Sequence, residues 1–341
     1  MSTTSSSPRK PRTTGSSRRA AVVAAVLATV SCGGGERGRE TLVTYFNGDH
    51  AVSLRHPASW RGDQAEQEGV WYRTFLAPPE AAQAKAPVSV TLMAGPMAVT
   101  VEEYAKTYLA GHTVAATRPE ERQGIAGRSW AFASADGRTL YRLLLLDLGG
   151  RVLGLYAQGD APAVGKQAAV LDEMWASLTV ERPDRYPVTA WREQKASLGL
   201  PASWRETRRF SGGGTLQTYF VSPPLAVDKG RQTVHASLSA TFEPVPDGGG
   251  LAEYYEASRR RLGENFQLTN HSSFRDGYVD VMRTETPVAI SFVKRFYFAR
   301  DGHGCSLVFE AREDVFPRAS RWADYIASTL VFGDEAAKAG K

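Results

Sequence analysis

Cysteine and histidine are scarce in this 341-residue sequence, which has two cysteines and six histidines. Two thiols can build neither a disulfide framework nor a four-thiolate metal site. The histidines never stand in the HxH, HxxxH or HExxH spacings that place two ligands on one zinc ion. We therefore expect no metal site and no cofactor.

Catalytic signatures are also missing. The chain has no GxSxG elbow, no GxxxxGK[ST] phosphate loop and no GxGxxG turn after a strand. Ser291 and Lys294 match SxxK, but residues three apart on a strand point to opposite faces and cannot act as a pair. Cys305 begins an apolar strand, where a free cysteine is typically a small core residue. The sequence thus predicts a protein that is not an enzyme.

The apolar run at residues 20–31 is too short to span a bilayer. It has 12 residues, whereas a membrane helix needs ~20. Five basic residues and no acidic one precede this run, an arrangement typical of a signal peptide. With Cys32 and three glycines after it, the segment resembles a bacterial lipoprotein signal. We predict a signal peptide at residues 1–31, lipidation of Cys32 and a tether at residues 32–42. An ordinary cleaved signal and an uncleaved anchor are the alternatives.

The excess of basic residues belongs to this leader. The whole chain has 41 basic and 36 acidic residues, so without the five in the leader the remainder is balanced. Because the chain after the leader has no net charge, its composition does not indicate nucleic-acid binding. Arginine is nevertheless concentrated late in the chain, and there we predict docking to an acidic partner or to anionic head groups; the alternative is an ordinary solvated face. The candidate docking residues are Arg208, Arg209, Arg259, Arg260 and Arg261.

An internal repeat organises the rest of the sequence. Ala51–Asp63 (AVSLRHPASWRGD) returns as Lys195–Thr207 (KASLGLPASWRET), and Met174–Val180 returns as Tyr325–Val331. Two further matches lie between these, in the same order and at similar offsets. We therefore predict a tandem duplication of a domain of ordinary size. The predicted segments are domain 1 at 43–182, a linker at 183–194, domain 2 at 195–333 and a tail at 334–341.

Each copy alternates strand and helix patterns. Thr100 and Glu103 form a capping box that opens a helix, and a second helix follows at residues 163–178. Glycine-containing turns at 136–137 and 149–150 predict that the last strands of the copy form an antiparallel meander. The fold class expected is α+β: two tandem α/β/α sandwich domains, each a mainly antiparallel sheet covered by helices. The other helices are predicted near residues 251–262 and 318–330.

Four motifs occur in both copies. They are Leu54-x-x-Pro57-x-x-Trp60 and its copy ending at Trp204, the Pro-Pro turns at 78–79 and 223–224, the Glu-Tyr helices at 103–104 and 253–254, and the Ala-Ser ends at 176–177 and 327–328. Together these motifs resemble the PsbP-like family, which includes the extrinsic subunit of the oxygen-evolving photosystem. The resemblance implies a non-enzymatic, membrane-extrinsic subunit that stabilises or assembles an integral membrane protein complex. A photosynthetic reaction centre with its antenna, reached from the periplasmic face, is the complex that it suggests.

Aromatic residues leave a second function open. Tyr104, Trp130 and Phe132 could line a pocket between sheet and helices, which would make the protein an envelope lipoprotein that binds a small apolar ligand. The alternative is that these side chains fill the core. Trp60 and Trp204 recur at the same place in both copies, and we predict that they are core anchors.

Overall fold

The computed structural model describes residues 40–78, 87–228, 232–245, 249–287 and 289–333. The predicted signal peptide, Cys32 and the predicted tail lie outside these residues. The described chain forms two compact units: a first unit, Ser59–Ala176, and a second unit, which combines Glu40–Ala58 with residues 177–333. Among the described residues, none of the helices has both the length and the hydrophobicity that a membrane span requires. The predicted domain boundaries stay a prediction, and the compact units divide the chain at other positions.

Two strands open the described chain and belong to the second unit: β1 (Leu42–Asn47) and β2 (Val52–Pro57). The first unit follows. Its elements are β3 (Arg61–Gln67), β4 (Val70–Leu76), β5 (Ser89–Pro96), α1 (Val101–Leu109), β6 (Thr113–Arg122), β7 (Ile125–Ala133), β8 (Thr139–Asp147), β9 (Arg151–Asp160), α2 (Ala161–Lys166) and α3 (Ala168–Ser177, whose last residue is counted with the second unit). Its strands form one antiparallel sheet in the order β3-β4-β5-β9-β8-β7-β6.

After α3, the second unit continues. Its further elements are β10 (Thr179–Val180), β11 (Val188–Trp191), β12 (Ala196–Gly199), β13 (Arg205–Gly212), β14 (Thr215–Val221), β15 (Ala226–Val227), β16 (Thr233–Val234), β17 (Ser237–Pro244), α4 (Leu251–Arg260), β18 (Phe266–Phe274), β19 (Gly277–Glu285), β20 (Ile290–Arg300), β21 (His303–Arg312), α5 (Phe316–Ser328) and β22 (Val331–Phe332). The second unit contains a sheet of the same topology as the first, in the order β13-β14-β17-β21-β20-β19-β18. Two three-stranded sheets, β1-β2-β10 and β11-β12-β22, belong to the same unit.

Helices cover opposite faces of the second unit's large sheet. Strand alternation places Cys305 on the face under α5, in the main apolar core, and Gly304 on the face under α4. A side chain at Gly304 would collide with the Tyr254 ring of α4, so glycine permits this close approach. Burial raises the pKa of the Cys305 thiol well above its usual value. Cys305 is therefore a core residue, as predicted.

Sheet dominates both units. The prediction of mainly antiparallel sheets is confirmed. The helices that accompany them are few and short, so each unit is mostly sheet. The predicted helix at 163–178 is two helices, α2 and α3, that meet near Gln167. Gly165 lowers the helix propensity of this segment. The capping box of α1 is confirmed, since the Thr100 hydroxyl accepts from the Glu103 backbone N–H at 3.2 Å.

The hairpin of β1 and β2 packs into the core of the second unit. Phe46 stacks on Trp322 of α5 with ring centroids 4.4 Å apart, and both side chains are almost completely buried. The Tyr325 hydroxyl donates to the backbone oxygen of Gly48 at 2.6 Å. Trp204 lies edge-on to Trp322 and is 7% exposed, and Trp60 in the first unit is 4% exposed. Both repeated tryptophans are core residues, which confirms that prediction.

Glu181 is a buried carboxylate in the second unit, where it links this hairpin to the chain after β10. It accepts hydrogen bonds from the Ser53 and Tyr186 hydroxyls, each at 2.8 Å. Burial outweighs these hydrogen bonds and raises the pKa of Glu181 above its usual 4.5. The folded state therefore binds this proton more tightly than the unfolded chain does, so this contribution to stability is present at low pH and is lost as pH rises through the raised pKa.

The Glu181→Gln variant is expected to gain stability relative to the wild type as pH rises, because glutamine keeps the hydrogen-bonding shape without a buried charge. The measurement is the difference in Tm between variant and wild type at pH 5 and at pH 7.5. Glu40→Gln, an exposed control, should show no such trend. A Tm difference for Glu181→Gln that is the same at both pH values would contradict the assignment.

Candidate docking surface

The candidate docking arginines of α4 differ in their contacts. Arg261, just beyond the helix, donates two hydrogen bonds of 2.6 Å to the Glu243 carboxylate on β17. Burial opposes ionisation of Glu243, but the Arg261 guanidinium outweighs it and lowers the pKa of that carboxyl. The Arg260 side chain is exposed and makes no ion pair or hydrogen bond with any residue that the structure describes. Arg261 therefore ties the helix to the sheet, while Arg260 is available to a partner.

Arg259 belongs to a cluster around a fully buried aspartate, Asp280. The Tyr255 and Tyr297 hydroxyls donate to the Asp280 carboxylate at 3.2 and 3.3 Å, and the Arg259 Nε lies 3.9 Å from it. Burial, together with the nearby carboxylate, raises the pKa of both tyrosines. Arg259 also donates to the Tyr255 hydroxyl at 3.3 Å. This arginine is thus engaged within the unit.

His271 completes this aspartate cluster from the neighbouring strand. It stands directly opposite Asp280 in the β18–β19 register, and its Nδ1 lies 2.7 Å from the carboxylate. A donating Nδ1–H leaves Nε2 as an acceptor on a side chain that is 42% exposed. Strand β7 of the first unit corresponds to β19. At the position of Asp280, the fourth residue of the strand, β7 has Arg128, whose Nε lies 2.9 Å from the Glu102 carboxylate. The cluster is therefore specific to the second unit and is not required by the shared topology.

Strand β13 and its neighbour β14 share an arginine–aromatic arrangement, which we call the docking ladder: Arg208 and Phe210 on β13 and Tyr219 on β14. The Arg208 guanidinium lies 5.3 Å from the centre of the Phe210 ring, and that ring meets Tyr219 edge-on at 6.1 Å. Phe210 is 50% exposed. Arg208 forms no ion pair within the described chain. Arginine and aromatic residues with this exposure are typical of the energetic centres of protein interfaces.

The docking ladder has no counterpart on β3, which occupies the same edge of the first unit's sheet. Strand β3 reads RGDQAEQ and carries one basic and two acidic residues. Strand β13 reads RETRRFSG, and its Glu206 is neutralised by Arg209 through hydrogen bonds of 2.7 and 3.0 Å. Arg205 and Arg208 are then left as cations on this edge. The sequence alone indicates Arg208 as a docking candidate but not Phe210 or Tyr219. Arg208 and Phe210 share one face of β13, and only the pairing of β13 with β14 brings Tyr219 next to them.

The first unit contains a cleft of about 260 Å³ on the α3 side of its sheet. Its lining is charged: the Arg142 guanidinium pairs with Asp172 at 2.6 Å and stacks on Trp175. Trp130 and Phe132 are buried in the core cluster that packs under α1, with Tyr104 of α1 against it, and of the three only Trp130 also lines the cleft. A charged lining does not favour an apolar ligand. Among the described residues, no three His, Cys, Asp or Glu side chains converge as a metal site.

No family model and no curated protein matches this sequence. Among solved structures, the chain is similar to cyanobacterial PsbP (CyanoP) of Synechocystis sp. PCC 6803, with 13% identity over 44% of this chain and 98% of that one, at a TM-score of 0.33. The Ran-binding protein Mog1p of Saccharomyces cerevisiae has 9% identity over 42% and 98%, at 0.32. LpqN of Mycobacterium tuberculosis, involved in cell envelope biogenesis, has 11% identity over 42% and 88%, at 0.31. Each of these three likenesses covers less than half of this chain.

Proposed function

We propose that this chain is a non-catalytic, exported protein on the periplasmic face of a bacterial membrane, held there by a lipid on Cys32. It docks on an integral membrane protein complex and stabilises or assembles it. The docking ladder is the observation that supports this proposal most, because it exposes unpaired arginine and aromatic surface on one unit only.

The chemistry of the ladder indicates an acidic partner surface. Among the described residues, Arg208 and the nearby Arg205 are cations without an acidic partner, since Glu206, which lies between them, is paired with Arg209. Carboxylates of a partner would pair with these guanidinium groups, and a flat apolar side chain would pack against the half-exposed Phe210 ring. Exposed ion pairs are screened by salt, so binding should weaken as ionic strength rises.

The repeat motifs extend the proposal to the class of complex. The sequence resemblance to PsbP-like proteins implies a photosynthetic reaction centre with its antenna as one such complex. The docking ladder itself fits any membrane assembly that has an acidic extrinsic surface. The predicted tandem duplication fits a bridging role, because two linked modules bind with a high effective concentration when both can engage.

Charge reversal at the ladder is expected to weaken docking about tenfold or more, because it removes a cation at an interface centre and opposes like charges. The measurement is recovery of the membrane complex with tagged full chain from native membranes in mild detergent, quantified by mass spectrometry. The test variant is Arg208→Glu. Arg61→Glu, the same charge change on β3 of the first unit, is the matched control and should bind as the wild type does.

Equal recovery with Arg208→Glu and with the control would remove the ladder from the interface. Recovery of the wild-type chain without any stoichiometric membrane partner would reject the proposed function itself. If a hydrolase screen detected turnover and a single substitution abolished it, the proposal that the protein is non-catalytic would be rejected.

A further inference from the structure

The two seven-stranded sheets have four edge strands, and one of them is unlike the others. Edge strands usually carry charged side chains or proline, which discourage pairing with another chain. Strand β3 has three charged residues, β13 has four, and β6 has four and a proline. Strand β18, FQLTNHSSF, has no residue of Lys, Arg, Asp or Glu over nine positions. This edge lacks the charge protection that the other three possess.

The side chains of β18 are open to solvent along most of its length. Its first eight residues are exposed, and the large apolar side chains of Phe266 and Leu268 are 37% and 39% exposed. A bulge at Thr269 interrupts the strand. The Thr269 hydroxyl donates to the Val281 backbone oxygen at 2.8 Å. Beyond the bulge, residues 270–274 pair regularly with β19. They form an unbulged, uncharged edge of five residues.

The inner side of this edge is firmly held. His271 is fixed to the buried Asp280 at 2.7 Å, and Phe274 packs edge-to-face on Phe296 at 4.8 Å. A strand anchored in this way keeps its outer backbone groups in one orientation. Such an edge is a prepared template for one further antiparallel strand.

We propose that the occupant of this edge is β18 of a second copy of the chain. An incoming strand must be extended, uncharged and rich in β-compatible or small polar residues, and β18 itself meets each requirement. Antiparallel pairing of residues 270–274 with the same residues of a copy centres on Ser272, so that no like charges are opposed. A twofold axis at this position closes the assembly as a dimer. The docking ladder lies at the opposite edge of the same sheet and stays accessible.

The first test is self-association of the purified full chain in mild detergent, measured by sedimentation velocity over a range of concentrations. The wild type is expected to form dimers. Ser272→Lys, which places two lysines opposite each other at the axis, should weaken dimerisation by about tenfold or more. Ser211→Lys is the matched control, because Ser211 is an exposed serine on β13 of the same sheet. It should dimerise as the wild type does.

The second test is a disulfide at the axis. Opposed residues of antiparallel strands have Cα atoms about 4.5–5.5 Å apart, within the range that a disulfide bridges. On oxidation with copper phenanthroline, Ser272→Cys should give a covalent dimer that Ser211→Cys does not. Cys305 is fully buried and cannot contribute.

Three results would overturn the proposal. One is a monomer at every concentration. Another is a dimer that Ser272→Lys leaves unchanged. The third is protection of the β18 amides from hydrogen exchange only when the membrane complex is present, which would assign the edge to a strand of that partner.

Discussion

Replacing Trp322 by alanine is expected to lower the free energy of unfolding of the second unit by about 3–5 kcal/mol. Trp322 is completely buried, stacks on Phe46 and meets Trp204 edge-on at 5.8 Å. Truncation therefore removes a large apolar side chain and two aromatic contacts, and it leaves a cavity that the surrounding strands cannot fill. The measurement is urea denaturation followed by circular dichroism.

Phe210→Ala is the control for this substitution. Phe210 is a half-exposed aromatic residue, and its loss should change stability by about 0.5 kcal/mol or less. Hydrogen exchange then locates the effect of Trp322→Ala, which should appear in β17, β20 and β21 and leave β5, β8 and β9 unaffected. A variant within about 1 kcal/mol of the wild type would show that the stack with Phe46 is not part of the core.

Asp280→Ala is expected to cost about 2–4 kcal/mol, with most of the loss in the region of α4 and β18. The carboxylate accepts from Tyr255, Tyr297 and His271, and the two tyrosines are buried. Without it, two buried hydroxyl groups lose their acceptor, and such groups are costly to leave unsatisfied. Arg259 and His271 are partly exposed, so water can solvate them and the loss is limited.

Asp280→Asn separates shape from charge. Its amide oxygen still accepts a hydrogen bond, so a loss of about 1 kcal/mol is expected. The measurement is again urea denaturation, and the His271 ring shifts in NMR spectra report whether Nδ1 keeps its partner. If the alanine variant proves as stable as the asparagine variant, Asp280 does not organise the cluster.

Elements with strong local signals could be predicted from the sequence. The capping box at Thr100 opens α1 as expected. The apolar runs at residues 70–76, 140–146 and 152–157 predict strands, and the structure has them as β4, β8 and β9. The edge strands β3, β6, β13 and β18 carried no such signal, because exposed residues on both faces produce no apolar alternation. Their places become visible only through pairing with a neighbouring strand.

Tertiary contacts account for what the sequence could not reveal about the units and the candidate site. The β1–β2 hairpin begins the first repeat but packs with the second unit, through a Phe46–Trp322 contact between residues far apart in the chain. His271 and Asp280 face each other across a bulged hairpin whose register cannot be counted from spacing alone. Arg261 was a docking candidate on charge, yet Glu243 on β17 holds it by a bidentate pair.

The proposed docking of the second unit can be tested most directly by site-specific photo-crosslinking in native membranes. Benzoylphenylalanine at position 210 places the reactive group in the docking ladder, and the same group at position 64 of β3 is the matched control in the first unit. If the ladder docks on the complex, an integral membrane subunit is crosslinked from position 210 and not from position 64, and high salt suppresses this crosslink. Equal crosslinking from both positions, or crosslinking from position 64 alone, would contradict docking through the ladder.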